Sequence, residues 1–231
     1  MLLKEADSLN NEVGVYAAPK VLYSRREEFL NTLTHFIGAL FSIVALIVMI
    51  VKAVTTGHSI NVVAVTIFGV SLISMYGASS IYHGVSKPKL KKILRKVDHL
   101  NIYFLIAGTY TPIALIALSG VYGWIIFALL WGTAIAGFVY KVLFFGDGWL
   151  STALYVIMGW TAIGFIVQIV EALPGGCLMW IILGGVLYTS GVVFYMLDEK
   201  IEFCHFLWHL FVLAGSIAHF FAIYLYIAGM K

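Results

Sequence analysis

The chain has 231 residues, of which 62% are hydrophobic and only 11% charged, with a mean hydropathy of +1.00 and a formal net charge of +3. That balance excludes a water-soluble globular domain, and it leaves no soluble basic domain that could hold a nucleic acid. The expected fold class is all-α, a polytopic membrane protein built as a bundle of seven transmembrane helices.

Residues 1–23 mix charge, Asn, Gly and Pro without a helical stripe and read as an irregular cytosolic arm; residues 24–231 read as one transmembrane domain. The first long apolar run starts only after about 28 residues of mixed character, too late for a cleaved signal peptide. Ser24 and Glu27 have the spacing of a capping box, and the acids Glu27 and Glu28 suit the positive end of a helix dipole. Glu28, Asn31 and His35 share one face of this first helix. Polar groups in hydrocarbon need partners, so that face is predicted to point into the bundle.

The first span runs to about Ala53, and Thr55 to Asn61 forms a short outer turn with an exposed His58. A second span, about Val62 to Val85, ends with Ser79 and His83. A basic loop from Lys87 to Lys96 follows, opened by Pro88, and Asp98 and His99 then begin the third span. Pro112 is predicted to kink that span, with Thr109 or Thr111 compensating for the freed carbonyl. Spans four, about Val121 to Phe145, and five, about Trp149 to Val170, read as structural; Gly132 and Ala136 have the four-residue spacing that lets helices approach closely. An outer loop from Glu171 to Gly176 leads to a sixth span ending near Met196. Asp198 to Glu202 then joins it to a seventh, which carries His205, His209 and His219.

Basic residues fall on alternate breaks: Arg25 and Arg26 before span one, Lys87 to Lys96 between spans two and three, Lys141 at the end of span four and Lys200 before span seven. This puts the N-terminus in the cytosol and the C-terminus outside, with the basic clusters against anionic lipid. Cys177 and Cys204 fall at opposite ends of the bundle, so no disulfide is expected.

His205 and His209 are separated by four residues, about 400° of helix rotation and about 6 Å of rise, so both imidazoles project from one stripe. Ser79 and His83 repeat that geometry on span two. The topology brings His83, Asp98, His205 and His209 to one depth near the cytosolic face. Each signal has a plainer reading: a histidine pair hydrogen-bonding across the bundle, Asp98 as a helix cap, His35, His99 and His219 as packing or hydrogen-bonding groups. Taken together, His83, His205 and His209 form a candidate metal site, with Zn2+ favoured by three imidazoles and one coordination position left for water. Asp98 is placed as general base and Ser79 as donor to a developing oxyanion.

At these residues the sequence resembles the haemolysin III family, the bacterial branch of the progestin and adiponectin receptor (PAQR) family, and more distantly the alkaline ceramidases. The resemblance rests on E-x-x-N-x-x-x-H at Glu28, Asn31 and His35, S-x-x-x-H at Ser79 and His83, the third-span Asp98, and H-x-x-x-H at His205 and His209. It implies zinc on the three histidines, with Asp98 and Ser79 close to the water, in a multi-pass protein of the bacterial plasma membrane. Two functions follow as expectations. One is a zinc-dependent hydrolase of a lipid amide or ester, with membrane lipids as its partners. The other is a non-enzymatic protein, a cytolytic factor or regulator of membrane composition, in which zinc is structural.

Overall fold

In hydrocarbon a backbone must satisfy its own hydrogen bonds, and apolar runs of this length do so as helices. The computed structural model describes residues 23–144 and 149–231, and among these there is no strand. The helices are α1 (Arg25–Val54), α2 (Ser59–Gly84), α3 (Pro88–Pro112, continued by a π-helical Ile113–Leu118), α4 (Gly120–Phe144), α5 (Trp149–Gly159), α6 (Ile166–Ala172), α7 (Gly175–Leu197) and α8 (Cys204–Ala222, continued by a π-helical Ile223–Ile227). Seven segments are long and apolar enough to cross a membrane, α5 and α6 together making the fifth. The arm read over residues 1–23 lies outside the described residues, apart from Tyr23.

Consecutive helices pack side by side, α1 on α2, α2 on α3 and α7 on α8, and α8 closes the bundle against α1. The polarity of α1 is that of a helix in lipid: Asn31, Thr34, His35 and Ser42 are buried, while Phe29, Phe36, Phe41, Val44 and Val51 face outward. Gly38 permits the close approach on which this depends, since a Cβ there would meet the Tyr76 ring at 2.9 Å. One apolar core joins α1, α2, α3 and α8 through Met49, Phe68, Met75, Leu105, Val212 and Ile223. A second joins α3, α4 and α5 through Tyr103, Ile126, Leu130, Tyr155 and Met158.

Several expectations are corrected. The basic stretch after Pro88 is not a loop: Pro88 occupies the first helical turn, where its missing N–H would have had no partner, and α3 runs through the lysines. Asp98 therefore lies within a helix and caps nothing. Thr109 and Thr111 donate to the carbonyls of Leu105 and Ala107, and the chain accommodates Pro112 by widening into a π-helical turn. Gly132 and Ala136 face outward; the close approach on α4 is at Gly137, where a Cβ would meet the Tyr103 ring at 2.8 Å. Span five is broken near Trp160 into α5, a 3-10 turn (Thr161–Phe165) and α6. Tyr110 bridges that break: its hydroxyl donates to the Gly159 carbonyl at 2.6 Å and accepts from the Ala162 N–H at 3.2 Å.

Candidate metal centre

α2 ends where α1, α3 and α8 begin, so His83 near the end of α2 meets His205 and His209 in the first turns of α8. One ligand atom from each of the three lies within 4.8 Å of the others, and all three side chains are buried. The ring centroids stand 5.1 Å apart for His83 and His205, 4.9 Å for His83 and His209, and 4.7 Å for His205 and His209. Among the described residues no other group of histidine, cysteine or acid side chains meets in this way.

The hydrogen bonds behind the rings decide which nitrogens are offered. His83 Nδ1 is 2.7 Å from Glu28 Oε2, and His205 Nδ1 is 2.8 Å from Asp198 Oδ2. A carboxylate only accepts, so each Nδ1 carries the proton and each Nε2 keeps its lone pair. Those two Nε2 atoms, and Nδ1 of His209, are buried without a hydrogen-bond partner among the described residues. Carboxylates fixing the far nitrogen of ligating imidazoles are a regular feature of metal sites. Three buried imidazoles with a ligand atom of each within 4.8 Å of the others fit a metal ion, and a three-imidazole donor set is one that zinc takes.

The support reaches outward. Glu28 Oε1 pairs with Lys91 Nζ at 2.8 Å, and Lys91 also donates to the carbonyls of Tyr82 and His83 at the end of α2. Lys91, expected to face lipid headgroups, is thus part of the scaffold behind the site. Tyr23 closes the same end: its hydroxyl donates to Asp198 at 2.8 Å and lies 2.8 Å from His205 Nδ1, with its ring 4.4 Å from that of His205. Burial first, and then the Asp198 carboxylate, push the Tyr23 phenol well above the ordinary tyrosine range. Phe203, immediately before α8, has a left-handed φ of 65°, strained for a non-glycine residue and set where the chain turns to present His205.

Asp98 and Ser79 are also brought together. Both are buried, and Ser79, one turn before His83, lies within side-chain hydrogen-bonding reach of the Asp98 carboxyl, with Arg95 and Lys141 as neighbouring cations. Asp98 is outside the set whose ligand atoms fall within 4.8 Å, so it is not placed as a ligand. Lys141, counted as a flanking charge, is buried and donates to His99 Nδ1 at 3.0 Å. His35 stacks on His209 at 3.6 Å and 5°. His219 packs against Tyr188 at 5.3 Å. Cys177 and Cys204 are buried free thiols.

The family model described as haemolysin-III related matches residues 23–220, spanning every side chain of the site. The chain belongs to the haemolysin III family. It is 44% identical over 204 residues to the Hemolysin-3 of Bacillus cereus, covering 87% of this chain and 92% of that one. It is 41% identical over 206 residues to a Hemolysin-3 homolog of Bacillus subtilis, covering 89% and 96%. A more distant relative is the human monocyte to macrophage differentiation factor, 30% identical over 169 residues, 70% of this chain and 69% of that one.

The sequence reading missed Asp198 and Tyr23 as partners of His205, and it left the role of Glu28 open. Ligating histidines usually carry a carboxylate on the far nitrogen. An acid at the same membrane depth as each histidine was the available signal, and Glu28 and Asp198 both carry it.

Proposed function

We propose that this chain is a zinc-dependent membrane hydrolase that cleaves a lipid amide or ester. The observation that carries the reading is the conjunction of three buried imidazoles, a ligand atom of each within 4.8 Å of the others, with the buried Asp98 and Ser79 on the adjoining turns of α3 and α2. The unit is residues 24–231, set in a bacterial plasma membrane with the site end and N-terminus in the cytosol, the orientation favoured by the basic residues of α3.

Bound by His83, His205 and His209, zinc would polarise a scissile carbonyl and lower the pKa of water at its open position. Asp98 takes the proton of the attacking water, and Ser79 donates to the carbonyl oxygen as charge builds there. The water oxygen joins the acyl carbon, the C–N or C–O bond breaks, and the proton passes from Asp98 to the leaving nitrogen or oxygen. Glu28 and Asp198 hold the rings and keep their tautomers. A site ringed by transmembrane helices favours substrates that reside in the bilayer.

The test is turnover by purified protein in detergent or vesicles against a panel of lipid amides and esters, with products read by mass spectrometry. Wild type should release product and His209→Ala should not. Equal turnover by the two would refute the reading.

A second reading is favoured by the way the histidines tie α8 to α2. Zinc there would be a structural staple in a non-enzymatic protein, which the Hemolysin-3 names of the Bacillus relatives would make a cytolytic factor. In that case zinc removal lowers thermal stability and no lipid product forms.

A further inference from the structure

The inward face of α1 carries more polar groups than the histidine cluster uses. Glu27, Asn31 and His35 follow at four-residue intervals, about 12 Å of one helical stripe, and are 2%, 0% and 1% exposed. Oε1 of Glu27, both amide atoms of Asn31 and both ring nitrogens of His35 are buried without a well-aligned hydrogen-bond partner among the described residues. Such groups destabilise an apolar interior unless something bonds them.

Among the described residues, neighbouring side chains and main chain do not meet the demand. The Phe203 main chain lies within reach of the Glu27 carboxyl, and the His209 main chain lies beside the His35 ring without forming an aligned bond. Tyr76 approaches His35 only edge-on, at 4.9 Å, and its hydroxyl is committed to Ser216 at 2.6 Å. Buried polar groups of mixed donor and acceptor character, spaced one turn apart, are what an ordered buried water requires, since it makes 2–4 bonds.

We propose that Glu27, Asn31 and His35 form a binding track for a file of buried water that runs from the acidic rim of the bundle, at Asp198 and Glu202, to the ring of His209. At its outer end, Glu27 has these two acids as electrostatic neighbours. At its inner end, His35 lies flat on His209, 3.6 Å between centroids. Beyond His35 the track stops: Tyr76 is satisfied by Ser216, and Met49, Phe68 and Leu72 form a dry core. The file therefore serves the histidine cluster and does not cross the membrane. Its use as the source of the water consumed in hydrolysis rests on the hydrolase reading; its existence does not.

The test is millisecond hydroxyl-radical footprinting by X-ray radiolysis of the full chain in detergent, which modifies buried side chains that touch bound water. After correction for intrinsic reactivity, His35 should be modified at least about fivefold faster than Phe68, which is equally buried in the dry core. Asn31→Leu, which removes both polar atoms of the side-chain amide at nearly constant size, should bring His35 down to the Phe68 level. Wild-type His35 modified no faster than Phe68 overturns the proposal and requires no variant to fold. Unchanged His35 modification in a folded Asn31→Leu protein overturns it as well. Neither readout depends on turnover, so a watered track in a protein that hydrolyses no lipid would refute the hydrolase reading alone.

Discussion

Glu28 Oε2 stands 2.7 Å from His83 Nδ1, so a carboxylate in the first turn of α1 sets the proton position of an imidazole in the last turn of α2. Asp198 does the same for His205 across 2.8 Å. Both contacts act from behind the rings and leave the opposing nitrogens free. Glu28→Gln and Asp198→Asn should therefore keep the fold and weaken zinc affinity by about 10- to 100-fold each, as read by competition with a chromogenic chelator. Affinity equal to wild type in both would mean that the carboxylates orient nothing the metal needs.

Replacing His83, His205 or His209 with Ala should remove zinc from the purified protein, whereas His35→Phe should retain about one zinc per chain, because the phenyl ring preserves the stack on His209. Chelation should lower the Tm of wild type and leave the three alanine variants unmoved. A ligand present at a thousandfold its Kd stabilises the fold by about 4 kcal/mol. Acid should release the metal too, since imidazoles bind it only when neutral and are protonated as pH falls.

The Tyr23 phenol is pushed well above its ordinary range by burial and by Asp198. In an unfolded chain it titrates near ~10. Above that pH the unfolded state sheds a proton that the folded state keeps, so the Tyr23 contribution is intact below ~10 and is lost as pH rises. The Tm difference between wild type and Tyr23→Phe should be flat up to about pH 9 and fall above about pH 10. A difference that widens with alkali would contradict the buried, neutral phenol.

How much of this was legible depends on what each feature owes to periodicity. His205 and His209 are read directly, because the helical repeat puts them on one stripe and hydrocarbon makes two unpaired imidazoles improbable as packing. The seven spans are legible for the same reason, being set by length and apolarity. Asp198 is not: it sits in the turn between α7 and α8, where no repeat relates it to His205. The lysines after Pro88 read as a loop because charge suggests solvent, yet their backbone is helical and Lys91 turns inward to Glu28. The break in span five was equally hidden, since its repair comes from Tyr110, about fifty residues earlier.

That repair can be tested on its own. Tyr110→Phe leaves the Gly159 carbonyl and the Ala162 N–H without their partner in a hydrocarbon setting, at a cost of about 1–3 kcal/mol for each group left unsatisfied. The Tm in detergent should fall by several degrees while zinc content stays at the wild-type level, because Tyr110 lies on α3 well beyond Asp98 and touches none of the three histidines. Loss of zinc together with stability would tie the break to the metal centre.

Asp98 separates the catalytic from the structural reading. It is buried beside Ser79, lies outside the 4.8 Å ligand set, and has Arg95 and Lys141 as neighbouring cations. If it accepts the proton of the attacking water, Asp98→Asn should lower kcat by about 100- to 10,000-fold with zinc content unchanged. An asparagine fills the same space but cannot take that proton. Should the variant lose its zinc, Asp98 would belong to the ligand set. If lipid turnover were intact, the proton would have to leave by another group, and Asp98 would be left as the buried counter-charge to Arg95 and Lys141. Measuring metal and turnover on the same preparation distinguishes these outcomes, because only the proposed chemistry predicts a full complement of zinc in a protein that no longer hydrolyses its lipid.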